Sequence, residues 1–96
     1  MTQQEFQQSI EDENPPVSVG PALAALWWDA KGNWEKAHDR AQEDKGQPGA
    51  WVHAYLHRKE GDIPNANYWY ARAGKPECKV SLDQEWKEIT SSLLAQ

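Results

Sequence analysis

Two glycine–Asx pairs, Gly32-Asn33 and Gly61-Asp62, stand 29 residues apart, each just downstream of a run with apolar residues at helical spacing. Glycine past the end of such a run stops a helix, and Asn or Asp directly after it caps the next one. Each pair therefore prescribes a helix, a tight turn and a second helix. The same offset lays Ala25 on Ala54 and Ala37 on Ala66, small residues where paired helices approach closely. The punctuation predicts an all-α chain built around two antiparallel helix hairpins.

The hairpin helices are expected at about 21–31, 34–45, 50–60 and 64–73. Pro21 suits a first turn, and Leu23, Leu26, Trp27 and Ala30 share one stripe, with Trp28 projecting to the other side. In the second helix Trp34, Ala37 and Ala41 make a narrow stripe, while Glu35, Lys36, Asp39 and Glu43 face water. Gly46 closes it, and Gln47-Pro48-Gly49 reads as a turn. In the fourth, Ala66, Trp69, Tyr70 and Ala73 form the buried stripe. A fifth helix, 82–94, is capped by Ser81 and carries Leu82, Trp86, Ile89 and Leu93 on one face, as expected of a capping helix over the open end of the hairpins. Residues 1–19 read as a polar N-terminal arm and linker. Thr2 and Glu5 form a capping box for a short helix near 3–12, Phe6 and Ile10 give it a thin stripe, and Pro15-Pro16 extends the chain. Residues 20–96 then form a single domain.

Ninety-six residues hold one modest core. Only 39% of them are apolar, but six are tryptophan, and the large area each buries lets a few replace many leucines. Trp27, Trp34, Trp51 and Trp69 are expected in that core. A net charge of −5 with scattered Lys and Arg excludes a nucleic-acid footprint. Cys78 stands alone, so neither an intrachain disulfide nor a multi-cysteine zinc site can form. The first residues lack the basic start and apolar stretch of a signal peptide, and no apolar run reaches membrane-spanning length, which points to a cytoplasmic chain.

The order small residue, Gly-Asx turn and alanine in the following helix, over residues 22–74, resembles a tetratricopeptide or Sel1-like helix pair. That resemblance implies two stacked hairpins and a partner-binding role. The unit here is shorter than the usual 34 residues or so, and His53 and His57 stand where that family places a leucine and a tyrosine. A second likeness rests on Trp34, Ala37, His38, Asp39, His57, Gly61 and Ala66. These residues resemble a bacterial family of small helical domains with an aromatic-x-x-Ala-His-acid signature, and imply a histidine-centred site of unassigned chemistry.

Helix 50–60 carries the candidate chemistry. His53, His57 and Glu60 lie at i, i+4 and i+7, so they stack on one face. The plainest reading makes them the solvated strip of an otherwise buried helix. Two imidazoles one turn apart can also hold a metal, with Glu60 as a ligand or orienting carboxylate. His38 borders the Trp34/Ala37/Ala41 stripe and could complete a set of three, suited to zinc, nickel or copper, with Asp39 as an acid/base partner. Such a set requires His38 to lie within about 10 Å of the other two, since ligand nitrogens sit about 2.0–2.1 Å from the ion. Without metal, His38, His57 and Glu60 are the candidate acid/base residues of a hydrolytic site. Tyr68 and Arg72, at i and i+4 near Asn65, form an anion or peptide contact and, with Trp28, the expected partner-binding surface. No nucleophile elbow or phosphate loop is present. A non-enzymatic module that binds a protein or small ligand without a cofactor is the leading expectation, and the histidine site the alternative.

Overall fold

Both glycine–Asx pairs close the same turn. In the computed structural model, which describes residues 1–96, Gly32 and Gly61 take φ of 81° and 87°, a region that strains any residue with a Cβ. The Gly32 and Asn33 amides donate to the Asp29 and Trp28 carbonyls, and the Gly61 and Asp62 amides donate to Arg58 and His57, 29 residues further on. Asn33 and Asp62 then cap the next helices by accepting from the Lys36 and Asn65 amides.

The chain is all-helical: α1 Gln3–Ser9, α2 Pro21–Ala30, α3 Trp34–Glu43, α4 Gln47–Lys59, α5 Ile63–Ala73 and α6 Leu82–Leu94. Helix α2 packs along α3 and α4 along α5, with α4 central because it also meets α2, α3 and α6. No helix is long and apolar enough to cross a membrane. Leu26, Trp27, Val52, Leu56 and Ile89 are fully buried in the core. The Trp86 indole donates to the Leu26 carbonyl at 3.0 Å and locks α6 onto α2.

Two buried carboxylates hold α4 in place. Asp29 accepts from the Tyr55 hydroxyl at 2.7 Å and from Lys59 at 2.8 Å. Glu85 accepts from the Tyr70 hydroxyl at 2.5 Å and from Arg58 at 2.8 Å, while Arg58 also donates to the Val80 carbonyl. Each charge is thus paired and hydrogen-bonded, as burial demands. Burial, reinforced by the adjacent carboxylates, pushes both phenols well above their ordinary pKa.

Three expectations are corrected. The N-terminal segment is no free arm. Its capping box forms, but Phe6 is fully buried 5.9 Å from the Trp86 ring, and the Trp27 indole donates to Ser9 Oγ at 3.2 Å. Gln47-Pro48-Gly49 is not a turn but the first turn of α4, where proline costs no helical hydrogen bond. Of the four tryptophans assigned to the core only Trp27 is fully buried. Trp34, Trp51 and Trp69 are half-buried: Trp34 and Trp69 stack on imidazoles, and Trp51 carries the Lys75 ammonium over its ring at 4.2 Å.

Gly49 is required by close approach: a Cβ there would collide with the Asp44 backbone carbonyl. Gly49→Ala is expected to lower stability by about 1–3 kcal/mol, the usual cost of overpacking. Thermal denaturation measures it, and an unchanged midpoint would mean that the α3–α4 loop yields freely.

Candidate metal centre

Of the strip expected to face water, Glu60 is exposed but both histidines are buried. Helices α3 and α5 both cover that side of α4, leaving His53 only 4% and His57 only 7% exposed. His38 of α3 completes a cluster: its ring centroid lies 5.0 Å from that of His53 and 5.4 Å from that of His57. His53 and His57, one turn apart, are nearly parallel at 6.0 Å. One ligand nitrogen from each of the three lies within 4.8 Å of the other two.

Two tryptophans bracket the rings. Trp34 stacks on His38 at 4.9 Å, and Trp69 stacks on His53 at 4.1 Å. The Trp34 indole also donates to the Leu56 carbonyl at 3.2 Å, which fixes the ring between α3 and α4. The Arg72 guanidinium lies 5.3 Å from the Trp69 centroid, extending the stack to the surface.

Glu60 orients one imidazole, with Oε1 2.7 Å from His57 Nδ1. An ionised carboxylate can only accept, so Nδ1 carries the hydrogen and the Nε2 lone pair is free. Asn65 of α5 lies beside the pair, with its Nδ2 directed to Asp62 Oδ2 at 3.5 Å. His53 Nδ1 is buried with no partner in the chain. A buried imidazole nitrogen without a partner is costly unless something else satisfies it.

Burial, with the neighbouring imidazoles second, lowers the pKa of His38 and brings that of His53 down to about 4, so both are neutral near pH 7. Metal ligation requires neutral imidazole. The same shift has a consequence for stability. His53 takes up a proton at its ordinary 6.5 in the unfolded chain but only near 4 in the folded one, so protons favour unfolding. Stability present above pH 6.5 is expected to fall progressively down to about pH 4. Melting temperatures of the metal-free chain across that range measure it. His53→Leu should flatten the slope, and an equally steep slope in that variant would assign it to other groups.

The structure brings together His38, His53, His57 and Glu60 but leaves Asp39 outside. Asp39 is exposed and lines a different cleft, with Trp28 and Lys36. Trp28 is half-buried with Lys36 over its ring at 4.2 Å and lines that cleft, whereas Arg72 lines another. Tyr68 is 53% exposed, and Arg72 donates to its hydroxyl at 3.1 Å. Asn65, expected beside them, directs its side-chain amide to Asp62 instead. Sequence reasoning missed Trp69 as the cover of His53. The Trp34–His38 stack was visible as an i, i+4 pair on one helix face.

Three imidazole nitrogens this close together are within reach of one ion. A second acceptor group, His57 with Glu60 and Asp62, relies on two exposed carboxylates, one of which already caps α5. No protein-family model matches the chain, and no significant match was found among curated proteins or solved structures.

Proposed function

We propose that this domain binds one divalent transition metal, zinc, nickel or copper, through His38, His53 and His57. The observation that supports it is the convergence of three imidazoles from two helices, all within reach of one ion. The surroundings favour the same reading. His57 is oriented by a carboxylate, as metal-ligating histidines commonly are, and His53 lacks any other partner. Borderline-soft nitrogen donors suit zinc, nickel and copper over magnesium or calcium, which prefer oxygen. His38, His53 and His57 would leave room for a further ligand, and a zinc ion held there would supply Lewis-acid chemistry.

The test is elemental analysis and calorimetric titration of the untagged chain with zinc. One equivalent bound, with a rise in melting temperature that chelator reverses, is the expected result. Substoichiometric loading with no thermal shift would end this reading. Glu60→Ala is expected to lower zinc affinity about 10–100-fold by releasing the His57 ring. The same change leaves the buried His57 Nδ1–H without its carboxylate, so the metal-free chain is expected to lose about 1–3 kcal/mol, and affinity is read below its lowered melting temperature. Unchanged affinity would remove Glu60 from the site.

A further inference from the structure

His53 belongs both to the histidine cluster and to the wall of an open cleft of about 430 Å³ between the start of α4 and α5. Lys45, Gly46, Gln47, Trp69 and Arg72 also line it. In a chain of net charge −5 this cleft is locally cationic. Its one carboxylate, Asp44, accepts the Gly46 amide at 2.8 Å and is outnumbered by Lys45 and Arg72. Lys45 is exposed and enters no ion pair. Arg72 spends one N–H on Tyr68 and lies over Trp69, which leaves most of its five donors for another acceptor. The 13-residue α4 begins here with no side-chain cap; Pro48 has no N–H and the Gly46 amide donates to Asp44, so the Gln47 amide and the positive end of the helix dipole remain on this side. The Gln47 side chain donates to the Ala73 carbonyl at 3.1 Å and pins this helix end to α5. Finally, His53 Nδ1 is a deeply buried polar atom without a partner in this wall.

We infer that the cleft takes a small oxyanion, a carboxylate or phosphate group, held by Arg72, Lys45 and the start of α4 beside the histidine cluster. The inference rests on the metal reading in one respect: an ion on the cluster would sit against the cleft wall, where an anion's oxygen could fill the open coordination position. The charge complementarity is independent of metal. Arg72 supplies a planar fork matched to two oxygens, and Lys45 a mobile point charge. The volume suits a small ligand and not a folded partner.

The test titrates the metal-free, isotope-labelled chain with inorganic phosphate and, separately, with acetate at millimolar concentration, followed by amide and imidazole shifts. The expected result is a set of shifts confined to Lys45, Gly46, Gln47, the Trp69 indole and His53. In the double variant Lys45→Met with Arg72→Met, affinity should fall by roughly tenfold or more, about 1.4 kcal/mol. Saturation by acetate assigns a carboxylate and saturation by phosphate alone assigns a phosphoryl group; both support the site. Absence of localised shifts with either anion, or shifts unchanged in the double variant, would overturn it. Zinc loading measured on the same samples is expected to be unaffected by the double variant. A chain that takes the anion but no zinc keeps the cleft and loses the ion, and one that takes zinc but no anion does the reverse.

Discussion

Trp27→Ala is expected to cost about 3–5 kcal/mol, the usual range for truncating a large buried aromatic. The indole is fully buried, and it is also the point where the N-terminal helix is fastened, since its N–H donates to Ser9 Oγ and Ser9 Oγ in turn donates to the Phe6 carbonyl at 2.6 Å. Removing it leaves a cavity and frees α1 together. In a domain of this size each kcal/mol moves the melting temperature by about 4–8 °C, so a fall of at least about 12 °C is expected. Hydrogen exchange should show α1 opening first. A variant that melted within a few degrees of the parent, with α1 still protected, would contradict the core described here.

Helix positions were legible because their signals are local. Asn33, Asp62 and Ser81 each cap the helix that follows by side-chain acceptance, and Thr2 with Glu5 forms its capping box. The Gln47-Pro48-Gly49 start of α4 was read as a turn because glycine and proline there are ambiguous: Pro48 suits a first helical turn, and Gly49 answers a backbone contact from Asp44 that only the folded chain creates. The docking of α1 was illegible for a similar reason. A stripe of Phe6 and Ile10 looks too thin to anchor a helix, yet one fully buried aromatic against Trp86 suffices.

For the histidines the wheel gave the face correctly and its environment wrongly. Spacing places His53, His57 and Glu60 on one side of α4, but whether that side meets water depends on which neighbours cover it. Helices α3 and α5 both do, and the half-buried Trp34 and Trp69 supply flat rings that bury imidazole without offering it a hydrogen bond. The same effect explains why these two tryptophans failed to sit in the apolar core. Amphipathic counting treats tryptophan as core filler, whereas here it separates a polar cluster from solvent.

His53→Leu is expected to raise the stability of the metal-free chain while abolishing metal binding. In the metal-free fold His53 Nδ1 is buried with no partner, a penalty of about 1–3 kcal/mol that leucine, of similar size, would relieve while keeping an apolar surface beneath Trp69. Loss of one of three ligands should lower zinc affinity by at least about 100-fold, since an outer partner alone is worth about 10–100-fold. His38→Ala supplies the complementary case: its ring is only partly buried, so the metal-free melting temperature should move little while loading falls as far. Paired measurement of thermal midpoint and zinc affinity separates the roles. A stabilised His53→Leu chain that still loads one zinc, or a His38→Ala chain of undiminished affinity, would show that the three imidazoles meet without sharing an ion.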